Sequence, residues 1–303
     1  MPILTIILFV LANIGLSAGT NRLPTTESKI NSILLDIKRA SSTFKKTSRP
    51  FVVVSYAQSL NGLLAPPTAK VQTPISSPNA LKLSHGIRSV VDAVLIGGGT
   101  LKADNPRLTN RLYVDKENCL PQPRSVVVVL GESSLKLAFD EDLNIRQNNR
   151  QVIFALTQAL YDTLGGDHDL KSDTLGKCEC AFLIVDHESN HKRYKVYLPS
   201  LLNLLRSKHG IESVMVEGGS TLLSKLFTVL ADFSVITISS SFMFGPKSSS
   251  SSSSISNIVV PTCGGGGMMN PHIKRSEFIL LSDSDSSSSS SSSSDDVVFI
   301  GEV

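Results

Sequence analysis

A carboxylate and two glycines stand where a hydrophobic run of the chain turns into a helical one. Residues 214–224 read VMVEGGSTLLS, so Glu217, Gly218 and Gly219 separate an apolar segment from one with helical spacing. A buried strand that ends in Gly-Gly and opens a helix can bind an anion, because unpaired backbone N–H groups there can face the ligand. The same glycines can instead serve only tight packing between strand and helix.

A second glycine turn is followed closely by arginines. Residues 95–111 read LIGGGTLKADNPRLTNR, in which Thr100 can cap or open a short helix that ends in a turn at 104–106. Arg107 and Arg111 come soon enough afterwards for one of them to face an anion. The third glycine of a dinucleotide fingerprint and a GxxxxGK[ST] loop are both missing, so neither standard nucleotide signature is met. A G-x-S-x-G elbow is missing as well.

Short apolar runs, bounded by glycine, proline, asparagine or aspartate, predict the strands that must position these turns. They lie at 51–57, 92–98, 124–130, 151–156, 180–185, 213–217 and 233–239, and the final DDVVFIGEV predicts one more. Helical spacing marks the segments 77–89, 199–210 and 220–230. Alternation of continuous apolar strands with helices predicts an α/β domain with a mostly parallel central sheet flanked by helices.

Composition divides the chain into three parts. Residues 1–20 contain an apolar stretch that ends in small residues, which predicts a signal-like or targeting segment, although a mispredicted coding start is an alternative. Residues 21–48 are polar and predict a linker with one short helical candidate. Residues 49–303 read as one domain with serine-rich inserts at 248–254 and 286–294, which we expect to be mobile surface loops because they bury too little apolar area.

The overall composition excludes several classes of protein. With 41% hydrophobic residues, the 303-residue chain can bury a core and is not disordered as a whole. Its net charge of +3 is spread without basic blocks among aromatics, so we expect no nucleic-acid partner. Of its four cysteines only Cys178 and Cys180 are close together, without a second pair of ligands, and we predict ordinary thiols and no metal.

Four blocks, taken in order, resemble the riboflavin-biosynthesis pyrimidine reductases. They are YAQSLNG at 56–62, HGIR with DAVLIGGGT within 85–100, ADNPRLTNR at 103–111 and VMVEGG at 214–219. That family includes the reductase domain joined to a deaminase in bacteria and the stand-alone reductases of fungi and archaea. The resemblance covers about residues 49–245. It implies a dihydrofolate-reductase-like fold, NADPH as hydride donor, a phosphorylated ribosylamino-pyrimidine as substrate and a homodimer.

The resemblance also implies site residues. Those matching cofactor-binding positions are Thr100, Asp104, Gly218, Gly219, Ser220 and Thr221. Those matching substrate-binding positions are Arg88, Leu108, Arg111 and Glu217. An arginine suits a ribose 5-phosphate because its planar fork grips two oxygens, although each arginine can instead be a solvated surface residue.

One position departs from the family pattern. Most relatives carry SLDG where this chain has SLNG, so Asn61 replaces an acid with an amide that cannot exchange a proton near neutral pH. We treat Asn61 and Glu217 as candidates for orienting the substrate and assign no proton donor. His85 could act as a general acid near neutral pH, but it and Lys102 can equally be structural.

The choice of substrate depends on what the chain lacks. The H-x-E and P-C-x-x-C signature of zinc deaminases is missing, so the chain has no deaminase half, and its YAQSL and ADNP segments resemble the stand-alone fungal type. Together these imply reduction before deamination, on 2,5-diamino-6-(ribosylamino)-4(3H)-pyrimidinone 5′-phosphate. Reduction of the deaminated 5-amino-6-(5-phosphoribosylamino)uracil is one alternative, and a non-catalytic NADPH- or phosphoribosyl-binding module is another. The EGG and ADNP blocks disfavour a dihydrofolate-type reductase. The family implies a cytoplasmic protein, whereas the apolar N-terminus indicates ER entry or organelle targeting.

Overall fold

The computed structural model describes most of the predicted domain and the segment before it. The described residues are 24–44, 48–64, 75–113, 120–138, 140, 142–147, 150, 152–164, 180–186, 196–227, 230–243, 275–281 and 296–303. The predictions for residues 1–20, for both serine-rich inserts and for Cys178 fall outside these ranges. No helix within them is both long and apolar enough to cross a membrane.

The described strands form one nine-stranded sheet in the order β5-β4-β3-β2-β6-β1-β7-β9-β8. The strands are β1 Phe51–Gln58, β2 Ala93–Gly97, β3 Arg124–Val128, β4 Val152–Thr157, β5 Cys180–Val185, β6 Ser213–Glu217, β7 Phe233–Ser239, β8 Arg275–Leu281 and β9 Asp296–Glu302. The first seven strands run parallel to one another, and the β8–β9 hairpin adds two antiparallel pairings at the edge.

Helices cover both faces of this sheet. They are α1 Thr26–Thr43, α2 Pro78–Arg88, α3 Gly98–Asp104, α4 Glu132–Leu137, α5 Gln158–Tyr161, α6 Leu198–His209 and α7 Ser220–Phe227. Side chains cap the first two, because Thr25 accepts the N–H of Ser28 and Ser77 accepts that of Ala80. Left-handed residues end two others, Asn105 after α3 and Gly210 after α6.

Alternating side chains of the parallel strands enter two separate cores. On β1, Phe51 and Val53 join the core under α1 and α2, whereas Val52 and Val54 join the core under α6 and α7. All four are almost fully buried. Strands covered on both faces read as continuous apolar runs, which is why the sequence reveals them so clearly. The predicted α/β class with a mostly parallel sheet is confirmed.

The structure differs from the sequence predictions at four elements. The segment 21–48, which we predicted to be a polar linker with one short helical candidate, contains the 18-residue helix α1. Its side chains Ile30, Ile33, Leu34 and Ile37 are buried in the core, because apolar residues recur at helical spacing in an otherwise polar segment. Strand β8 and the short helices α4 and α5 were also missed.

The parallel sheet brings together the three sequence blocks that contain the carboxyl ends of β1, β2 and β6, at 56–62, 95–111 and 214–219. Strand β6 lies between β1 and β2, with Ser55 opposite Glu217 and Leu95 opposite Val216. The carboxyl ends of the three strands therefore meet at one edge of the sheet. In open α/β sheets ligands bind in the crevice at this edge.

Candidate active site

A cleft of about 600 Å³ opens at the carboxyl ends of β1, β2 and β6. It is lined by five of the six residues predicted to bind the cofactor: Thr100, Asp104, Gly218, Gly219 and Thr221. It is also lined by three of the four predicted substrate-binding residues: Arg88, Leu108 and Glu217. The two predicted sets, which come from stretches around residues 88, 100–108 and 217–221, thus share one cavity.

Two glycines shape the junction between β6 and α7. Gly218 and Gly219 have φ values of 67° and 79°, a region that favours glycine. A Cβ atom on Gly218 would lie 3.1 Å from Thr100 Cγ2, and one on Gly219 would lie 3.3 Å from Thr100 Oγ1. The N–H groups of Gly218, Gly219 and Thr221 have no acceptor among the described residues. These N–H groups can therefore donate to the oxygens of a bound anion, and Ser220 begins α7 at the same point.

Arg88 and Glu217 bind each other across the cleft wall. Arg88 Nε donates to Glu217 Oε1 at 2.6 Å and Nη2 donates to Oε2 at 2.7 Å, while Nη1 donates to the carbonyl of Thr109 at 3.0 Å. Burial lowers the pKa of Arg88, but the charge and hydrogen bonds of Glu217 outweigh this and raise it. The two side chains thus form a bidentate ion pair in which each fixes the orientation of the other. Both members keep unused capacity for a ligand, because a guanidinium has five N–H groups and each carboxylate oxygen has two lone pairs.

The loop after α3 carries the remaining substrate-binding predictions. Leu108 is buried at φ 51°, an uncommon conformation for a leucine, and it contributes to the cleft wall. Arg111 does not line the cleft. Its side chain is exposed, and Nη1 donates to Thr109 Oγ1 at 2.7 Å. Burial, followed by the charges of Arg88 and Arg107, lowers the pKa of Arg111, so several guanidinium groups lie near one another here.

His85 is a structural acceptor for this loop. Its Nδ1 accepts the backbone N–H of Arg111 at 2.8 Å, and the N–H of Leu112 lies 3.4 Å away. Burial and then the charges of Arg88 and Arg111 lower the pKa of His85 to about 3. The imidazole is therefore neutral near pH 7 and does not serve as a general acid.

Asn61 lies outside the residues that line the cleft and faces a neighbouring loop. Its Nδ2 donates to the carbonyl of Met243 at 2.6 Å, and its Oδ1 accepts the N–H of Met243 at 3.0 Å and the hydroxyl of Ser59 at 2.8 Å. These bonds join the turn after β1 to the loop after β7. The expected role of Asn61 in orienting substrate does not follow from this arrangement.

Two further features of the site were missed by sequence reasoning. Tyr56 lines the cleft, and burial raises its pKa to about 12, so its hydroxyl stays protonated. Of the residues that the sequence did indicate, Asp104 has a pKa raised by burial, and the side chain of Lys102 is exposed. The second missed feature is Arg150. Arg150 donates to backbone carbonyls of the loop that contains Leu108. The YAQSLNG block could have pointed to Tyr56, but no sequence pattern indicates Arg150.

Several proteins with assigned names are similar to 59–68% of this chain. A Debaryomyces hansenii protein named 2,5-diamino-6-ribosylamino-4(3H)-pyrimidinone 5′-phosphate reductase is 28% identical over 204 residues, which are 65% of this chain and 77% of that protein. The Archaeoglobus fulgidus protein of the same name is 31% identical over 59% of this chain and 75% of its own length. The riboflavin biosynthesis protein RibD of Bacillus amyloliquefaciens is 27% identical over 68% of this chain and 48% of that protein.

Solved structures share the fold. The riboflavin biosynthesis reductase Rib7 of Saccharomyces cerevisiae superposes with a TM-score of 0.53 at 19% identity, covering 90% of this chain and 98% of that one. RibD of Acinetobacter baumannii superposes with a TM-score of 0.55 at 17% identity, covering 91% of this chain and 64% of that one. The fold implied by the resemblance is confirmed. Residues 50–245 match the family described as the RibD C-terminal domain, and the chain belongs to that family.

Proposed function

We propose that the chain is an NADPH-dependent reductase of 2,5-diamino-6-(ribosylamino)-4(3H)-pyrimidinone 5′-phosphate that converts its ribosyl group to a ribityl group. Relatives from fungi and an archaeon carry the name of this activity. The observation that carries the proposal is the shared cleft, in which the glycine junction and the Arg88–Glu217 pair both line one cavity. A hydride transfer needs cofactor and substrate side by side.

The glycine junction is the proposed cofactor side of the cleft. The N–H groups at the start of α7, together with Thr100 and Asp104, would hold the sugar and phosphate oxygens of NADPH. When bound, NADPH supplies the hydride that reduces the sugar C1′ carbon. The protein's own contribution is to position both partners and to complement their charge.

The loop after α3 and the Arg88–Glu217 pair form the proposed substrate side. Leu108 contributes apolar surface to the cleft, and Arg88 contributes N–H groups that Glu217 leaves unused. Arg111 lies outside the cleft lining but near Arg88, and its charge suits a phosphate dianion. Glu217, held by both of its oxygens, can accept a hydrogen bond from the substrate in a fixed direction. Tyr56 keeps its proton and can donate a hydrogen bond within the same cleft.

Oxidation of NADPH by the purified protein tests the proposal. We expect the absorbance of the reduced cofactor to fall with the diaminopyrimidine substrate and much more slowly with its deaminated uracil counterpart. The reverse preference would support the uracil alternative, which a few contacts at one exocyclic group can produce. Tight NADPH binding without oxidation by either pyrimidine would favour a non-catalytic binding module. Asn61, the main reason to consider such a module, bonds to Met243 rather than lining the cleft.

The assembly and the cellular location are further parts of the proposal. Family resemblance supports a homodimer, which sedimentation of the purified protein would test. The same resemblance supports a cytoplasmic protein, whereas the apolar residues 1–20 support targeting to the ER or an organelle. A fluorescent protein fused to residues 1–48 distinguishes these locations, because a targeting segment would carry the fusion out of the cytoplasm.

A further inference from the structure

Arg150 binds the backbone of the substrate-side loop. It lies shortly before β4, about 40 residues beyond that loop in the sequence. Its Nη1 donates to the carbonyl of Arg107 at 2.5 Å and its Nη2 to that of Leu108 at 3.3 Å. Nη2 also donates to the carbonyl of Pro123, which precedes β3. One guanidinium group thus connects the loop to the segment that leads into β3, through hydrogen bonds to three backbone carbonyls.

A second side chain from the same segment holds the start of this loop. The backbone N–H of Asn144 donates to Asn105 Oδ1 at 2.8 Å, and Asn144 Nδ2 donates to the carbonyl of Asn105 at 2.7 Å. Asn105 and Leu108 are the two non-glycine residues with positive φ among those described, at 38° and 51°. Asn144 and Arg150 therefore bind the loop at or beside both of its positive-φ positions.

Such strain persists only where the surroundings enforce it. Leucine tolerates the left-handed region poorly, since its Cβ approaches the following carbonyl oxygen. Leu108 nevertheless lies 1% exposed and lines the cleft. The bonds from Arg150 to the carbonyls of Arg107 and Leu108 fix the peptide groups on both sides of the Leu108 backbone. They supply the constraint that the strained conformation requires.

The electrostatic setting of Arg150 is unfavourable, which indicates that its position has a use. Burial and then the charges of Arg88 and Arg111 lower the pKa of Arg150. Arg150 is thus repelled by neighbouring positive charges, and a neutral side chain at this position would remove that repulsion. Its fork can satisfy several carbonyls at once, which neither a lysine nor a glutamine can do in the same geometry.

We propose that Arg150 is a positioning residue for substrate binding, which holds the backbone of Arg107 and Leu108 so that Leu108 forms the cleft wall and Arg111 stays beside it. The proposal rests on the proposed function for the identity of the substrate. The geometric part, that Arg150 orders residues 105–111, can be tested without turnover.

The first test compares two methionine variants by steady-state kinetics. Arg150→Met removes the bonds to the loop, whereas Arg49→Met removes an arginine that donates to the carbonyl of Pro50 and to Asp232 at the other end of β1. We expect Arg150→Met to raise KM for the pyrimidine about tenfold, with kcat and the Kd of NADPH within about threefold of wild type. Arg49→Met should lower Tm but leave KM unchanged. An unchanged KM in Arg150→Met would overturn the proposal.

Arg150→Lys separates position from charge and provides a second variant if the methionine protein folds poorly. Lysine keeps the positive charge but not the fork, so its KM should be close to that of Arg150→Met. A wild-type KM in Arg150→Lys would show that charge alone matters and would overturn the positioning role.

Trypsin provides the readout that does not depend on activity. Trypsin cuts after arginine, and the loop contains Arg107 before Leu108 and Arg111 before Leu112. We expect cleavage at these two bonds to be faster in Arg150→Met than in wild type and unchanged in Arg49→Met. Equal cleavage rates in all three proteins would overturn the proposal. If the wild type oxidises NADPH with neither pyrimidine, the proposed function fails, while this comparison still decides whether Arg150 orders the loop.

Discussion

At the scale of single residues, the amide of Asn61 has a structural use where the resemblance led us to expect an acid. Its amide both donates to and accepts from the backbone of Met243, at 2.6 Å and 3.0 Å. An aspartate, which the family pattern favours here, has no proton to donate to the Met243 carbonyl near neutral pH. The amide therefore suits this contact in a way that the acid does not.

Restoring the acid should weaken the protein rather than activate it. In Asn61→Asp the carboxylate would face the carbonyl oxygen of Met243, and we expect a loss of about 1 kcal/mol in the free energy of unfolding at pH 7. NADPH oxidation should not become faster. Chemical denaturation and the NADPH assay measure the two effects. A clear gain in kcat would instead show that the position acts in catalysis.

His85 should make the fold sensitive to acid. Its pKa is lowered to about 3 in the native protein, and an unfolded histidine titrates near about 6.5. Below that pH the unfolded chain binds a proton that the folded chain does not. Stability from this group is thus complete above about pH 6.5 and is lost progressively as the pH falls toward 3.

Replacement by asparagine should remove this dependence, because an amide oxygen can still accept the N–H of Arg111 without titrating. Between pH 7.5 and pH 5.5 the free energy of unfolding of the wild type should fall by roughly 1 kcal/mol because of His85. His85→Asn should not show this loss. Denaturant unfolding of both proteins at the two pH values measures the difference. The same loss in wild type and variant would mean that other groups cause the acid sensitivity.

At the scale of elements, the junction of β6 and α7 combines a backbone requirement with a binding requirement. Gly218 has a φ of 67°, and Gly210, which ends α6, has a φ of 62°. A Cβ on Gly210 would meet nothing within 4 Å, whereas one on Gly218 would press on Thr100. The two glycines therefore carry nearly the same backbone strain but differ in what a side chain would displace.

Alanine at each glycine separates these requirements. Gly218→Ala and Gly210→Ala should each lose about 1–2 kcal/mol of unfolding free energy, because alanine is disfavoured at positive φ. Gly218→Ala alone should raise the Kd of NADPH by about tenfold or more, since Thr100 must shift from the cofactor side of the cleft. Titration of NADPH fluorescence measures this. Equal NADPH affinity in both variants would assign the Gly218 turn to packing only.

The sequence predicts those elements whose signal is local. Strands buried on both faces appear as unbroken apolar runs, and β1, β2 and β6 were each predicted to within about two residues at either end. The glycine junction was predicted because its chemistry is contiguous in the chain. Arg150 and Met243 could not be predicted, because each takes part in hydrogen bonds between a side chain and a backbone group that are far apart in the sequence. Such contacts leave no trace in residue type or spacing.

At the scale of the whole molecule, the two ends of the described chain close one face of the sheet. Ile33 and Ile37 of α1 share a core with Val298 and Ile300 of β9. Lys29 Nζ also donates to the carbonyl of Leu280 in β8 at 2.9 Å. Without α1, this face of the edge strands would lose its apolar cover.

Two variants on α1 test whether the helix is part of the folded unit. Ile33 is 0% exposed and Leu35 is 46% exposed, although they lie two residues apart on the same helix. Ile33→Ala should lower the free energy of unfolding by about 2–5 kcal/mol, because it removes buried methyl groups and leaves a cavity. Leu35→Ala should change it by less than about 0.5 kcal/mol. Denaturant unfolding measures both. If Ile33→Ala is as stable as Leu35→Ala, α1 does not belong to the core, and the reductase domain begins near residue 49, as the composition of the chain first indicated.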